Sequence, residues 1–233
     1  LNIPRQNAKR RGAMHWHRDT FGFKNLEFFM AVTDVDDESG PFYCLERKIK
    51  EEEFHKNALK SFQLDSENPE ALIALSRSYN LKKDFENRIE YMKLALNINP
   101  NHADANYEYG LSLTTYKEFE KAKQYALIGL QLNPKQQRYF PIILCCVGLN
   151  EFEEALKYCN KSIEVDPKFT GAFGWKSSML GHLDRLDEAK EILSDYLKLR
   201  PEIKNINDYE KVAPTVIKEI LMEGLIKAGM PNE

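Results

Sequence analysis

The sequence predicts a mainly α protein. Stacked helical pairs form a superhelical solenoid of four repeats, with a capping helix at each end and a short β-hairpin or meander at the N-terminus. Three observations carry this reading. First, Pro100, Pro134, Pro167 and Pro201 follow Asn99, Asn133, Asp166 and Arg200 at spacings of 34, 33 and 34 residues, and counting back 34 from Pro100 reaches Ser66, after Leu64-Asp65. A fixed period in this range marks a stacked repeat. Second, small residues fall in register. Ser76, Gly110 and Ser177 lie ten residues after a boundary; Ala122, Ala155 and Ala189 share a later slot, with Arg88 the exception; Ala95, Gly129 and Ser162 share another, from which Tyr196 departs. Small side chains let neighbouring helices approach to about 8–10 Å. Third, large residues fill the slots between: Leu72, Leu75, Tyr79, Tyr107 and Leu113, with Phe85, Phe119, Phe152 and Leu186 at the turns.

In chain order, residues 1–12 are polar and basic, and Lys9-Arg10-Arg11 reads as a solvated run. Residues 13–45 change character. The stretch 25–35, NLEFFMAVTDV, reads as a strand with apolar residues on both alternating faces: Leu26, Phe28, Met30 and Val32 against Phe29 and Ala31. A strand of this kind expects cover on both sides, so self-association through it is one reading of this segment. Residues 36–41 signal a turn, and Phe42-Tyr43-Cys44-Leu45 returns as a second strand. Residues 46–66 read as an N-terminal capping helix, half a repeat, because from Glu51 they align with the second helix of a unit. The full units are 67–100, 101–134, 135–167 and 168–201. The third is one residue short and carries Pro141, so its first helix starts late or bends. After Pro201 the period breaks. Ile206 to Val212 forms a turn of helix, and 214–228 places Val216, Ile217, Ile220, Leu221, Leu225 and Ile226 at helical spacing. Pro214 suits a first turn and Gly229 a stop, so residues 202–233 supply a C-terminal capping helix and tail.

Composition narrows the function. A net charge of −3 lacks the basic excess that nucleic acid demands. There is no run of 18 apolar residues and so no membrane span. Cys44, Cys145, Cys146 and Cys159 form no Cys-x-x-Cys pair, and three of them sit in the third unit. They read as buried reduced thiols, which fits a cytoplasmic compartment. No nucleotide-binding glycine loop, Gly-x-Ser-x-Gly or His-Glu-x-x-His occurs.

Period and small-residue register together resemble the tetratricopeptide repeat (TPR) family over residues 67–201. The resemblance implies an α-α superhelix whose first helices line a concave face that holds other proteins. Separately, His15-Trp16-His17-Arg18-Asp19, Thr33-Asp34-Val35-Asp36 and Gly40-Pro41-Phe42 resemble the phytanoyl-CoA dioxygenase family of iron(II)/2-oxoglutarate oxygenases. In that family a His-x-Asp pair supplies two of three iron ligands, here matched by His17 and Asp19. Alternation puts both on one face of a strand. The family's distal His and its 2-oxoglutarate-binding Arg have no counterpart, since His55, His102 and His182 all lie in repeat-like sequence.

By register, the concave face carries Glu70, Ile73, Arg77 and Asn80, then Asp104, Tyr107, Leu111 and Thr114, then Phe140, Leu144 and Val147, then Gly174, Ser178, Gly181 and His182. Chaperone-binding members of the family grip a terminal carboxylate with Lys and Asn. This set has only Arg77 as a basic residue, which speaks against that ligand. Tyr107, Leu111, Phe140 and Leu144 give an apolar floor for a peptide segment, unless the C-terminal helix folds back onto it. The first expectation is therefore a protein-interaction module with no catalytic residue and no cofactor. The alternative is an iron(II)/2-oxoglutarate dioxygenase with a repeat domain that recruits substrate, present here in part.

Overall fold

The computed structural model describes residues 51–232. The expected hairpin over 13–45, with His17, Asp19 and Cys44, lies outside the described residues, as do residues 46–50 of the expected capping helix. His55–Glu233 form one unit.

Every regular element described is helical. α1 (Glu51–Leu64) is followed by α2 (Pro69–Leu81), α3 (Phe85–Ile98), α4 (Ala103–Thr114), α5 (Phe119–Leu132), α6 (Phe140–Gly148), α7 (Phe152–Val165), α8 (Gly171–His182), α9 (Leu186–Leu199), α10 (Ile206–Glu210) and α11 (Lys218–Lys227). The pairs α2/α3, α4/α5, α6/α7 and α8/α9 pack against each other, and the second helix of each pair packs on the first helix of the next. One pair alone cannot bury its apolar stripe, and stacking turns four half-cores into one. That core runs from Leu72 and Met92 through Leu113, Ile142 and Ile143 to Met179, Leu221 and Leu225.

The turn inside each pair repeats in atomic detail. Lys83, Lys117, Asn150 and Asp184 occupy the same slot and all adopt left-handed backbone, with φ of 59°, 58°, 59° and 55°. One residue later, Asp84, Glu118, Glu151 and Arg185 donate their N–H groups to the carbonyls of Tyr79, Leu113, Cys146 and Leu180, five residues back. This is a Schellman closure, which satisfies the last carbonyls of the first helix and reverses the chain. Helix starts are capped by side chains: Asn68 Oδ1 accepts from Glu70 N at 2.9 Å, ahead of Pro69 in the first turn, and Asp84 Oδ1 accepts from Asn87 N at 3.1 Å.

Small residues sit where backbones cross. A Cβ on Gly110 would lie 2.7 Å from the Ala122 carbonyl oxygen, and one on Gly129 would lie 2.9 Å from the Ala103 oxygen. Ser76 and Ser177, in the Gly110 slot, do more than make room: each hydroxyl donates to a carbonyl of the paired helix, that of Arg88 at 2.7 Å and of Ala189 at 2.8 Å.

The third unit departs where its sequence does. Pro134–Gln136 form a 3₁₀ turn, Gln137 takes φ 49°, and α6 begins only at Phe140 with Pro141 in its first turn. Pro141 has no N–H to donate, so the first turn is the place it disturbs least. Past α9, a 3₁₀ turn over Thr215–Ile217 leads into α11, which packs along α8 and reaches α6. Gly229 at φ 97° ends α11, and Met230 N–H donates to the Leu225 carbonyl at 2.9 Å.

Candidate functional site

The first helices α2, α4 and α6 touch in sequence along one face. On that face the helical spacing of Asp104 and Glu108 aims two carboxylates at α2, one turn apart. Arg77 on α2 meets them: its Nε and one terminal nitrogen donate to Glu108 Oε1 at 3.0 and 2.8 Å, and Asp104 lies 4.0 Å away. Arg138 arrives from the segment before α6. It reaches Asp104 Oδ1 and Glu108 Oε1 at 3.4 Å each, and its guanidinium lies 3.5 Å above the Tyr107 ring. Arg88 adds a third guanidinium from α3, close enough to Glu108 to feel its charge.

Burial makes these charges strong. Burial alone would raise the Glu108 carboxyl, but Arg77, Arg138 and Arg88 outweigh it and hold the group down at about 2. Burial likewise works against the charge on Arg77, and Glu108 and Asp104 overcome it, so its pKa rises. For Arg88 burial wins and the pKa falls. At the edge, His102 caps α4: Nδ1 accepts from Ala105 N at 3.3 Å. The ring proton therefore sits on Nε2, which donates to Glu70 Oε1 at 3.0 Å. That hydrogen bond, ahead of the opposing effect of burial, raises the His102 pKa.

The residues expected on the face divide in three. Arg77, Asn80 and Leu111 keep some exposure on the first two units. Ile73, Tyr107, Thr114 and Leu144 are buried; Ile73 and Leu144 belong to the core, Thr114 donates to the Leu111 carbonyl at 2.7 Å, and Tyr107 lies under Arg138. Phe140 is half-buried, 5.5 Å from the Trp175 ring.

The fourth unit differs because α11 covers it. Ser178 donates to the Leu221 carbonyl at 2.9 Å and is fully buried, and His182 Nε2 donates to the Ile220 carbonyl at 2.7 Å. A Cβ on Gly181 would lie 2.1 Å from the Gly224 oxygen. Ser178, Gly181 and His182 are thus a helix-packing surface. Gly174 faces the ring of Tyr196 instead, with a Cβ position 3.1 Å from it.

Three residues of the charged cluster were not singled out by register. Glu108 sits one position beyond Tyr107, and only the Asp104 spacing points to it. Arg138 lies in the irregular segment where register is lost. Arg88 had a signal, as the one large charged residue in a slot that is otherwise alanine.

A second cluster lies between α5 and α7. Cys146, Glu151 and Glu154 bring their ligand atoms together as a metal site would. Lys123 donates to both carboxylates and supplies the positive charge a cation would bring. Burial pushes the Cys146 thiol up to about 12, so it stays protonated. Cys145 and Cys159 are also buried free thiols, as expected. No helix among the described residues is long and apolar enough to cross a membrane.

The tetratricopeptide repeat family model matches residues 69–102 and 144–169. The Hsp70-Hsp90 organizing protein of Triticum aestivum is 26% identical over 169 residues, 71% of this chain but 28% of that protein, so the chain spans little more than a quarter of this relative. Among solved structures, PilW, a type IV pilus biogenesis factor, superposes with TM-score 0.60 at 18% identity, over 76% of this chain and 83% of its own. YrrB, described as a TPR protein with an unusual peptide-binding site, gives TM-score 0.56 at 18% identity, over 75% and 91%. The helical pairs thus have the tetratricopeptide fold.

Proposed function

We propose that this chain is a protein-interaction module, and that a peptide or protein partner lies along the face of α2 and α4. The observation that carries this is the asymmetry of the face. α11 closes the fourth unit over Ser178 and His182, whereas Arg77, Asn80 and Leu111 on the first two units remain partly exposed beside the charged cluster. An apolar patch beside oriented charges gives affinity and register together. The peptide-binding site described for YrrB and the organizing role in the name of the wheat protein support the reading. None of these likenesses supports the iron-oxygenase reading of His17 and Asp19, and we assign the described residues no cofactor. A cytoplasmic location fits the three buried free thiols.

The test is selection of peptides from a random display library on the full chain. Changing Asn80 and Leu111 to Ala together should weaken a selected peptide about tenfold, with thermal melts confirming the fold. Lys198→Glu, on the exposed side of α9, should leave affinity unchanged. Peptides that ignore the Asn80/Leu111 change would contradict the proposal.

A further inference from the structure

We infer that the outer face of α3 and α5 is a self-association surface, on which a second copy of this chain packs about a two-fold axis, α3 of one copy against α5 of the other. The first observation is an apolar patch that the repeat does not require. Leu64, Ile98, Leu132, Val165 and Leu199 share the slot two residues before each boundary, and all five are exposed. Four residues earlier, on the same side of the helix, the units divide: that slot holds Lys60, Leu94, Ile128, Lys161 and Asp195. Of these five helices only α3 and α5 therefore carry exposed aliphatic pairs at i and i+4. Leu94 and Ile98 are 39% and 44% exposed, and Ile128 and Leu132 are 39% and 41% exposed. Lys60 on α1 and Lys161 on α7 bound the patch on either side. The second observation is charge. Glu90 is exposed one turn before Leu94, where α5 has Gln124; Lys121 is exposed two turns before Ile128, where α3 has Asn87. Lys121 reaches Glu118 on its own helix at 3.5 Å, a loose exposed pair. Lys93 precedes Leu94 and so points about 100° away round the helix.

These two ridges complement each other, and that selects the occupant. An isologous contact needs a surface that matches itself. A two-fold axis parallel to the helices lays α3 on α5 of the second copy with equivalent slots level. Leu94 then meets Ile128 and Ile98 meets Leu132, each pair twice. The same rotation brings the acidic ridge to the basic one, with Glu90 and Lys121 three residues apart in level, about one turn. An unlike partner needs no such match between the two ridges. Burial of the aliphatic pairs drives the contact, and the bordering lysines confine it to these two helices. The second helices lie outside the first in such a stack, so this contact leaves the α2 and α4 faces of both copies open and doubles the valency of a peptide-binding chain. The inference goes beyond peptide binding and stands without it.

The experiment is sedimentation of the full chain at concentrations from about 1 to 200 μM. The wild type should pass from monomer to dimer across that range. Ile128→Lys installs the residue that α7 carries in this slot, and Leu94→Asp the one that α9 carries, so both keep the fold, as thermal melts should confirm. Each should raise the dimer Kd at least about thirtyfold. Glu90→Lys and Lys121→Glu should each weaken the dimer by about three- to tenfold, and the two together should recover most of that loss. Lys198→Glu, on α9, should leave the dimer unchanged. A chain that stays monomeric throughout, a dimer indifferent to Ile128→Lys and Leu94→Asp, or charge variants whose losses add where they should cancel would each overturn the inference.

Discussion

At the scale of single residues, the chain spends its unusual chemistry on a few slots. Glu108 is the clearest. Three arginines hold its carboxyl at about 2, against an ordinary value of 4.5. A depressed carboxyl adds stability that is fully present above the ordinary value and is lost as the pH falls towards the depressed one. The shift corresponds to stability on the order of 3 kcal/mol at neutral pH. Urea unfolding of the wild type should therefore weaken between about pH 4.5 and 2, and Glu108→Gln should be less stable at pH 7 by about 3–5 kcal/mol, because it strands Arg77. The difference between the two proteins should shrink through the same window, and a pH-independent difference would sink this account of Glu108. The turns offer the opposite case. Lys83 and Lys117 hold left-handed backbone that costs a side chain with a Cβ about 1–2 kcal/mol, whereas Asn150 and Asp184 tolerate it better. Lys117→Gly should raise Tm, by about 0.5–1 kcal/mol of stability after the added freedom of the unfolded chain is counted. Asn150→Gly should change little, and a destabilised Lys117→Gly would show that the turn conformation is not what sets its energy.

At the scale of elements, much was legible because each helix pair is defined by local chemistry. Phe119 and Phe152 at the turns and Leu72, Leu75 and Leu113 in the apolar slots read directly as the starts of second helices and as buried faces. Pro141 correctly announced a late first helix in the third unit, and Gly229 the end of α11. What sequence spacing did not reveal is which partner each face meets. Ser178 and Thr114 sit at positions that point inward in register, yet one is covered by α11 and the other satisfies its own helix. Contacts spanning 43 residues, such as Ser178 to Leu221, leave no trace in a period of 34. The α8–α11 crossing is itself a sharp prediction. A Cβ on Gly224 would lie 2.3 Å from both the Ser178 carbonyl and its hydroxyl. Gly224→Ala should cost about 2–3 kcal/mol by forcing the helices apart, visible as a lower urea midpoint. The gain in helix propensity, about 1 kcal/mol, works the other way and is too small to hide it. A neutral Gly224→Ala would mean that α11 does not sit tightly on α8.

At the scale of the whole described unit, four near-identical pairs produce a face that is not uniform. The period explains the stack, and three exceptions break its symmetry: Arg88 in an alanine slot, Arg138 in the irregular third unit, and α11 laid over the fourth. These follow from side-chain reach and tertiary packing, which a repeat alignment averages away. The measurement that bears most directly on the account is hydrogen–deuterium exchange of the full chain, with and without a display-selected peptide. Protection should appear on α2 and α4 and leave α8 and α11 unchanged. Protection confined to α8 and α11, or spread over the outer helices α3, α5, α7 and α9, would contradict it.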